Sequence, residues 1–316
     1  MKNARDLPIR IQKEEATLRR LPKNHPKFNK LKNSIEKRKA GHRGELNVDY
    51  HLSFLPSKYT ILNNLHLKNG EKEFEIDRLL LSPNLILDIE TKNYGGILIF
   101  HKDSKQLIQI FNGIEKGYPN PIQQAERQLF NLSKWLEARK LPSSPMDYLV
   151  TISFPKTIIK SDDDTIFQKI LHAEHIVNKI LELAKTHKTP LFDEKTLRKF
   201  KKTFLKASSP PDIIILEIWD IDPSEILTGV ICPYCQHLPM IRLHSRWYCP
   251  NCKLESKNAH IQAIEDYFLI FKDTITNKEC REFLHIPSRR TAEYILRSMS
   301  LVAAGTTKGT TYSKSP

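Results

Sequence analysis

Residues 74–96, FEIDRLLLSPNLILDIETKNYGG, contain two apolar runs with the length and composition of β-strands. The tripeptide SPN at residues 82–84 separates the runs and is typical of a turn. Asp77 lies in the first run, and Glu90 lies near the end of the second. If the two runs pair as a hairpin, Asp77 lies beside Glu90 on the adjacent strand.

Side chains alternate along a strand, so Glu90 and Lys92 share one face and Thr91 occupies the other. Two carboxylates on adjacent strands suit Mg²⁺, which prefers oxygen ligands and needs few protein groups because it keeps several waters. A lysine beside them would orient or deprotonate water and offset charge on a phosphate oxygen. The pattern favours metal-assisted hydrolysis of a phosphodiester. The alternative is a polar strand end with surface ion pairs.

The flanking sequence predicts an α/β protein. Further strands are expected at residues 59–67, 97–101, 107–111 and 148–153, in a mainly antiparallel meander. Helices are expected at residues 9–40 with a break at the prolines of 21–26, and at 29–52, 121–140, 166–185 and 194–205. Helices around such a sheet form the layers of an α/β or α+β fold.

Four short motifs occur in order: Gly44 with Glu45; Ile76 with Asp77; Glu90, Lys92, Asn93 and Gly96; and Asn120, Pro121 and Gln124. In this order and spacing they resemble the nuclease-related domain (NERD domain), which belongs to the restriction-endonuclease-like PD-(D/E)XK superfamily. The resemblance covers about residues 41 to 155. It implies a restriction-endonuclease-like core, in which helices flank a mixed sheet.

The resemblance also implies the roles of five residues. Asp77 and Glu90 would hold a catalytic Mg²⁺ or Mn²⁺, and Lys92 would be the catalytic lysine. Glu45, on the first core helix, would complete the acidic cluster, and Gln124 would reach the site from a later helix.

Three other features of this region bear on the site. Thr91 stands where the family typically has an aliphatic residue, and this departure should leave the catalytic face unchanged. Asp88 shares the face of Glu90, either within the shell of ligands around a metal or as a solvated neighbour, and we expect the solvated position. Apart from the resemblance, Glu45 and Gln124 would be ordinary exposed residues of helices.

Composition and charge narrow the class of protein. The chain has 316 residues, of which 40% are hydrophobic and 27% charged, so it is expected to be globular rather than disordered. No apolar run approaches eighteen residues and no secretion signal is evident, which predicts a cytoplasmic protein without a membrane span. Residues 1–43 carry fourteen Lys/Arg against four Asp/Glu, and residues 229–316 carry twelve against seven. These basic ends suggest a polyanionic partner. The alternative is that the basic residues only form solvated surface.

Four of the five cysteines form two C-x-x-C pairs, Cys232 with Cys235 and Cys249 with Cys252. This spacing predicts a tetrahedral zinc site in a zinc ribbon, and a closed set of four thiolates makes the zinc structural. A redox role would need a single pair near a βαβ unit. His237 and His244 are alternative ligands, but four cysteines already complete the site.

The C-terminal region resembles a winged helix-turn-helix over about residues 259 to 316. A capping box at Thr276 and Glu279 and a cap at Ser288 predict successive helices, followed by a glycine-bounded hairpin. The resemblance implies that the third helix enters the major groove of DNA and that the hairpin touches phosphates. The implied DNA-binding residues are Arg289, Arg290, Arg297 and Lys308. The alternative is a three-helix packing module with solvated arginines.

The sequence thus predicts five segments: a basic helical extension at residues 1–40, a nuclease-related domain with a helical tail at 41–207, a linker at 208–228, a zinc ribbon at 229–257 and a winged-helix-like module at 258–316. The favoured function is a metal-dependent nuclease acting on DNA. The alternatives are a non-enzymatic DNA-binding regulator with an inactive nuclease fold, and an RNA-binding protein.

Overall fold

The computed structural model describes residues 5–142, 145–187, 190–305 and 309–314. Over these residues the chain divides into two compact units. The first unit contains Arg5 and Lys39–Asp212, and the second contains Asp6–Arg38 and the chain from Ile213 onward. Among the described helices, none has both the length and the apolar character needed to cross a membrane.

The α-helices of the described residues are α1 (Ile9–Arg20), α2 (Phe28–Leu52), α3 (Pro121–Ala138), α4 (Ile176–Thr186), α5 (Glu194–Ala207), α6 (Ile215–Trp219), α7 (Ala259–Ile270), α8 (Asn277–Leu284) and α9 (Arg289–Ser298). Short 3-10 helices cover Asp164–Gln168, Ala173–His175 and Pro223–Glu225.

The strands of the first unit are β1 (Thr60–Asn69), β2 (Lys72–Leu81), β3 (Ile86–Lys92), β4 (Ile97–Phe100), β5 (Leu107–Phe111), β6 (Ile114–Tyr118), β7 (Met146–Ile152), β8 (Ile158–Ser161) and β9 (Ile170–His172). The strands of the second unit are β10 (Ile241–Leu243), β11 (Arg246–Tyr248), β12 (Glu255–Ser256), β13 (Thr274–Thr276), β14 (Val302–Ala304) and β15 (Thr311–Ser313).

The main sheet of the first unit has the strand order β1-β2-β3-β7-β9 and is mixed. Strands β1, β2 and β3 are antiparallel, as the predicted hairpin requires, whereas β3 pairs with β7 in parallel and β7 with β9 in parallel. The expected meander therefore covers only part of the sheet. Helix α3 lies between β6 and β7 in the chain, and a connection of this kind permits a parallel strand. A second sheet has the order β6-β5-β4-β8.

Apolar clusters cover both faces of the main sheet. On one face, α3 and α5 pack on β1 and β2, where the rings of Trp135 and Phe204 stack with their centroids 4.8 Å apart. On the other face, Val48 of α2 and Ile176 of α4 pack against residues that include Leu87 of β3. The helix expected from residue 166 begins only at Ile176, because residues 164–175 form two 3-10 turns and the edge strand β9.

The second unit begins with a helical cluster. Ile11 of α1 and Leu31 of α2 pack with Ile215 of α6 and Ile270 of α7. The buried Arg20 donates to Asp266 Oδ2 at 2.8 Å. The expected extension at residues 1–40 and the expected linker at residues 208–228 both contribute apolar side chains to this cluster, through residues 6–38 and 213–228.

The C-terminal part of the second unit has the chain order α7, β13, α8, α9, β14, β15, with the sheet order β13-β15-β14. Thr276 and Glu279 form the expected capping box of α8, and Ser288 caps α9 through the Thr291 amide. The whole chain is thus a mixed α/β protein with helices packed on mixed sheets, as its sequence predicts at that level.

Candidate functional site

A network of hydrogen bonds joins Glu90, Lys92 and Gln124 at the end of β3. Lys92 Nζ donates to Glu90 Oε1 at 2.6 Å and to Gln124 Oε1 at 3.0 Å. Gln124 Nε2 donates to Glu90 Oε2 at 2.8 Å. Both carboxylate oxygens of Glu90 are therefore bound, and its side chain is buried. The sequence-predicted partners Glu90, Lys92 and Gln124 lie together.

Asp77 reaches the same place from β2. The β2–β3 register pairs Leu79 with Asp88, and continuing it by two residues sets Asp77 opposite Glu90. The backbone amide of Thr91 donates to Asp77 Oδ2 at 3.1 Å. Burial raises the pKa of Glu90 to about 7, with the nearby charge of Asp77 adding to the rise and Lys92 opposing it. The hairpin thus brings two like charges together, with one ammonium group beside them.

Gln124 reaches Glu90 because of how α3 begins. The Asn120 side chain accepts a hydrogen bond from the Ile122 amide at 2.9 Å, and Pro121 occupies the first turn. These are ordinary start signals for a helix. They fix Gln124 in the first turns of α3, and one turn later Gln128 Nε2 donates to the Glu75 carbonyl at 2.8 Å.

Asp88 is fully buried, so the expectation of a solvated neighbour was wrong. Neither of its carboxylate oxygens has a hydrogen-bond partner among the described residues, and the same holds for Gln128 Oε1. Burial raises the pKa of Asp88 well above its usual value, and the charges of Glu90 and Asp77 add to this. Sequence reasoning missed this burial because a charged residue in a strand ordinarily points to solvent.

The chemistry of this region fits a hard divalent cation. Buried oxygens without donors are the ligands that Mg²⁺ and Mn²⁺ prefer, and one or two carboxylates suffice for Mg²⁺. Among the described residues, however, no three carboxylates come close enough to one another to form a ready-made cage. The oxygens without donors belong to Asp88 and Gln128, whereas both oxygens of Glu90 already accept hydrogen bonds. A cation held by Asp77 and Glu90 would therefore share Glu90 with Lys92 and Gln124.

Glu45 lies in a different set of contacts. Its Oε2 accepts a hydrogen bond from Arg5 Nη1 at 2.9 Å, and Arg5 Nε also binds Asp49 at 2.8 Å. Burial raises the pKa of Glu45, Arg5 opposes this, and the charge of Asp77 adds to it. Glu45 is therefore near Asp77, but no described hydrogen bond joins it to Glu90 or Lys92. Sequence reasoning missed Arg5, which is 40 residues away in the chain.

The buried Arg78 organises the face of β2 and β3 opposite to Glu90. It donates to Asp49 Oδ1 at 2.7 Å, to Thr91 Oγ1 at 2.7 Å and to the Glu45 carbonyl at 2.6 Å. The hydroxyl of Thr91 thus has a structural partner that an aliphatic residue would lack. This explains the departure at position 91 without any change on the face of Glu90.

Gly44 allows α2 to approach the ends of β3 and β7. A Cβ atom at Gly44 would lie 2.7 Å from the Asn93 Cβ and even closer to Ser153 Oγ. Asn93 Nδ2 in turn donates to the Ala40 carbonyl at 2.6 Å. Gly44 and Asn93 therefore hold α2 close to the ends of these strands.

The second candidate site is the cluster of Cys232, Cys235, Cys249 and Cys252. Their sulfur atoms all lie within 4.8 Å of one another, with Sγ–Sγ distances of 3.5 Å for Cys235 and Cys249 and 3.7 Å for Cys232 and Cys252. Tetrahedral thiolates with Zn–S bonds near 2.3 Å are about 3.8 Å apart. The four cysteines could therefore bind zinc. Cys280 lies apart, buried in an apolar cluster.

The expected DNA-binding residues occupy the surface of α9. Arg289 and Arg290 are exposed at its start, and Arg297 forms a surface ion pair with Glu293 at 2.9 Å. Lys308 lies outside the described residues. In the basic N-terminal segment, part of the charge is internal, because Arg20 is buried with Asp266.

Comparison with known proteins gives one match. A family model described as the nuclease-related domain matches residues 40–153. No curated protein matches the chain, and no solved structure does. The matched range contains Glu45, Asp77, Glu90, Lys92 and Gln124, and the match supports a nuclease-related domain in this part of the chain.

Proposed function

We propose that residues 40–153 form a restriction-endonuclease-like nuclease domain that hydrolyses phosphodiester bonds in DNA with the help of Mg²⁺ or Mn²⁺. The observation that carries the proposal is the network that joins Glu90, Lys92 and Gln124, with Asp77 bound to the intervening Thr91 amide. Buried charge is costly unless it is paired or binds a metal, and clusters of buried charged groups are common at functional sites.

In this proposal Asp77 and Glu90 hold the cation. The cation would supply charge stabilisation to a phosphoryl oxygen and a more acidic water. Burial alone would lower the pKa of the Lys92 ammonium group, but the nearby Glu90 carboxylate more than offsets this, and the pKa is raised. Lys92 therefore stays protonated at neutral pH. Lys92 would stabilise negative charge that develops on the phosphate, and Gln124 would hold Glu90 and Lys92 in position.

We also propose that the second unit binds DNA. The chain order from α7 to β15 supports a winged helix-turn-helix, with α9 as the helix that enters the major groove. Arg289 and Arg290 lie at its N-terminal end, where such a helix meets base edges. Zinc bound by the four cysteines would be structural, since four protein ligands leave no open position.

Nicking of supercoiled plasmid in Mg²⁺ tests the nuclease proposal, with Lys92→Ala compared to wild type. Lys134→Ala is the matched control, because Lys134 also pairs with a glutamate, Glu137, but on the exposed face of α3. We expect Lys92→Ala to lose nicking by orders of magnitude while DNA affinity and metal affinity change little. If wild type is inert on DNA and RNA alike, the non-enzymatic alternative replaces this proposal.

Electrophoretic mobility shifts test the DNA interface. Arg289→Ala/Arg290→Ala should weaken duplex binding and flatten its salt dependence, since each lost phosphate contact removes about one counterion from the slope. Arg198→Ala, an exposed arginine of α5, is the control. Equal binding by the double variant and wild type would exclude α9 as the interface. Tighter binding to RNA than to DNA would favour the RNA alternative.

A further inference from the structure

A groove lies beside the candidate site in the first unit, between α2, β1 and α5. Its volume is about 570 Å³, within the range of small-molecule sites. Its lining includes Arg5, Tyr50, Tyr59 and Lys201. Arg5 is the residue that binds Glu45, so the groove is continuous with the residues around the proposed nuclease site.

Two buried hydrogen-bond donors in the lining have no partner. Tyr59 is 4% exposed, and its hydroxyl makes no hydrogen bond to any described residue. The Arg5 guanidinium is also buried, and its Nη2 is likewise without a partner in the described chain. Unmet buried donors are costly, so a ligand that offers acceptor oxygens would be stabilised here.

Aromatic rings stand at the edge of this groove. Tyr50 lies in the last turn of α2 and is 63% exposed, and Phe54 lies two residues after the end of α2 and is 64% exposed. Their ring centroids lie 5.3 Å apart with an edge-to-face angle of 89°. Leu46, one turn earlier, extends the same exposed stripe. Large flat rings exposed in this way offer stacking surfaces to bases.

The charge around the groove favours an anionic ligand. Lys201 of the lining is exposed and forms no ion pair with any residue that the structure describes. The acidic group in the lining, Asp49, is already bound by Arg5 and Arg78.

We propose that this groove binds an unpaired nucleotide of a nucleic-acid strand, next to the bond that the nuclease domain cleaves. A base stacks on Tyr50 and Phe54, while acceptor oxygens of the same nucleotide receive hydrogen bonds from Tyr59 and Arg5. The proposal rests on the proposed nuclease function, and it adds a preference for single-stranded or locally opened substrate.

Fluorescence anisotropy with a labelled single strand of about 12 nucleotides, and with a duplex of the same length, tests the proposal. The buffer contains no Mg²⁺ or Mn²⁺, which prevents cleavage, and no chelator, which leaves zinc in place. Tyr50→Ala/Phe54→Ala should raise the single-strand Kd about 5- to 150-fold, since stacking contributes about 1–3 kcal/mol per base. Duplex affinity should stay unchanged. Phe130→Ala is the matched control, because Phe130 is 63% exposed on α3 and is not part of the lining.

Two further variants sharpen the result. Tyr50→Leu/Phe54→Leu keeps an apolar surface without flat rings, so it should bind single strands as poorly as the alanine variant. Tyr59→Phe removes only the unpartnered hydroxyl, so it should weaken binding without lowering the melting temperature. Retained single-strand affinity in the leucine variant would overturn stacking and leave an apolar protein contact as the use of the stripe.

The outcomes separate this proposal from the nuclease function. If wild type nicks DNA and Lys92→Ala does not, but the alanine variant binds single strands like wild type, the groove proposal fails and the nuclease stands. If the alanine variant loses single-strand binding but wild type cleaves no substrate, the groove proposal stands and the nuclease fails.

Discussion

The carboxamide of Gln124 bridges the two charged groups of the candidate site. Its Oε1 accepts from Lys92 Nζ at 3.0 Å, and its Nε2 donates to Glu90 Oε2 at 2.8 Å. A planar amide with one donor side and one acceptor side can satisfy both partners at once. The bridge therefore fixes the orientation of the carboxylate and of the ammonium group together.

Replacing Gln124 by leucine removes both contacts at similar size. We expect the rate of plasmid nicking to fall about 10–100-fold, as is typical when a group that orients site residues is lost. Gln123→Leu is the control, because its side chain is exposed one position earlier on α3. Initial rates of plasmid nicking measure the effect, and melting temperatures of both variants show whether they are folded. Equal rates in the two variants would show that the bridge has no functional role.

The buried Arg78 should contribute strongly to stability. Arg78→Met leaves Asp49 with only Arg5, and removes the partner of Thr91 and of the Glu45 carbonyl. Breaking a buried ion pair from one side costs about 3–5 kcal/mol, and the partial exposure of Asp49 sets the low end of that range. Urea unfolding measures this change in the free energy of unfolding.

Thr91→Val should lower the free energy of unfolding by less, about 1.5–3 kcal/mol, because it removes one hydrogen bond to a charged group. A larger loss of stability in Thr91→Val than in Arg78→Met would contradict this account.

Local sequence signals predicted the hairpin and the start of α3. Alternation sets Glu90 and Lys92 on one face, the turn at residues 82–84 returns β3 along β2, and Asn120 with Pro121 starts the helix that carries Gln124. These features depend on neighbouring residues, so a single sequence contains them.

Contacts between residues far apart in the chain could not be predicted from such local signals. Arg5 binds Glu45 across 40 residues, and nothing in the sequence around either residue indicates the contact. Asp88 is buried because α3 covers its face of the sheet, and α3 lies more than 30 residues further on. For the same reason the basic N-terminal segment was interpreted as surface, although Arg20 is paired with Asp266 in the interior.

The cysteine cluster should hold one zinc ion per chain. Cys232→Ala/Cys249→Ala should release the zinc and disrupt the surrounding apolar cluster, because both residues are fully buried in it with Trp247. Cys280→Ala is the control, since Cys280 belongs to the same cluster but not to the group of four. Metal analysis by mass spectrometry and near-UV circular dichroism report the two effects. Full zinc content in the double variant would exclude these ligands.

His260 should make the stability of the second unit fall at acidic pH. The Trp247 indole donates to His260 Nδ1 at 3.1 Å, and burial lowers the pKa of His260 to about 4, with the charge of Arg242 adding to this. The folded pKa lies below the ordinary value of about 6.5, so the unfolded chain takes up the proton first as pH falls. The stabilisation that comes from keeping His260 neutral is complete above pH 6.5 and is lost as pH falls from about 6.5 to 4. At pH 5 the loss amounts to about 2 kcal/mol of unfolding free energy.

His260→Gln keeps an acceptor for Trp247 but cannot titrate. The difference in unfolding free energy between this variant and wild type should therefore shift by about 2 kcal/mol from pH 8 to pH 5. The other titrating groups are the same in both proteins, so their effects cancel in this difference. A difference between wild type and His260→Gln that is the same at both pH values would show that His260 is not held in its neutral form.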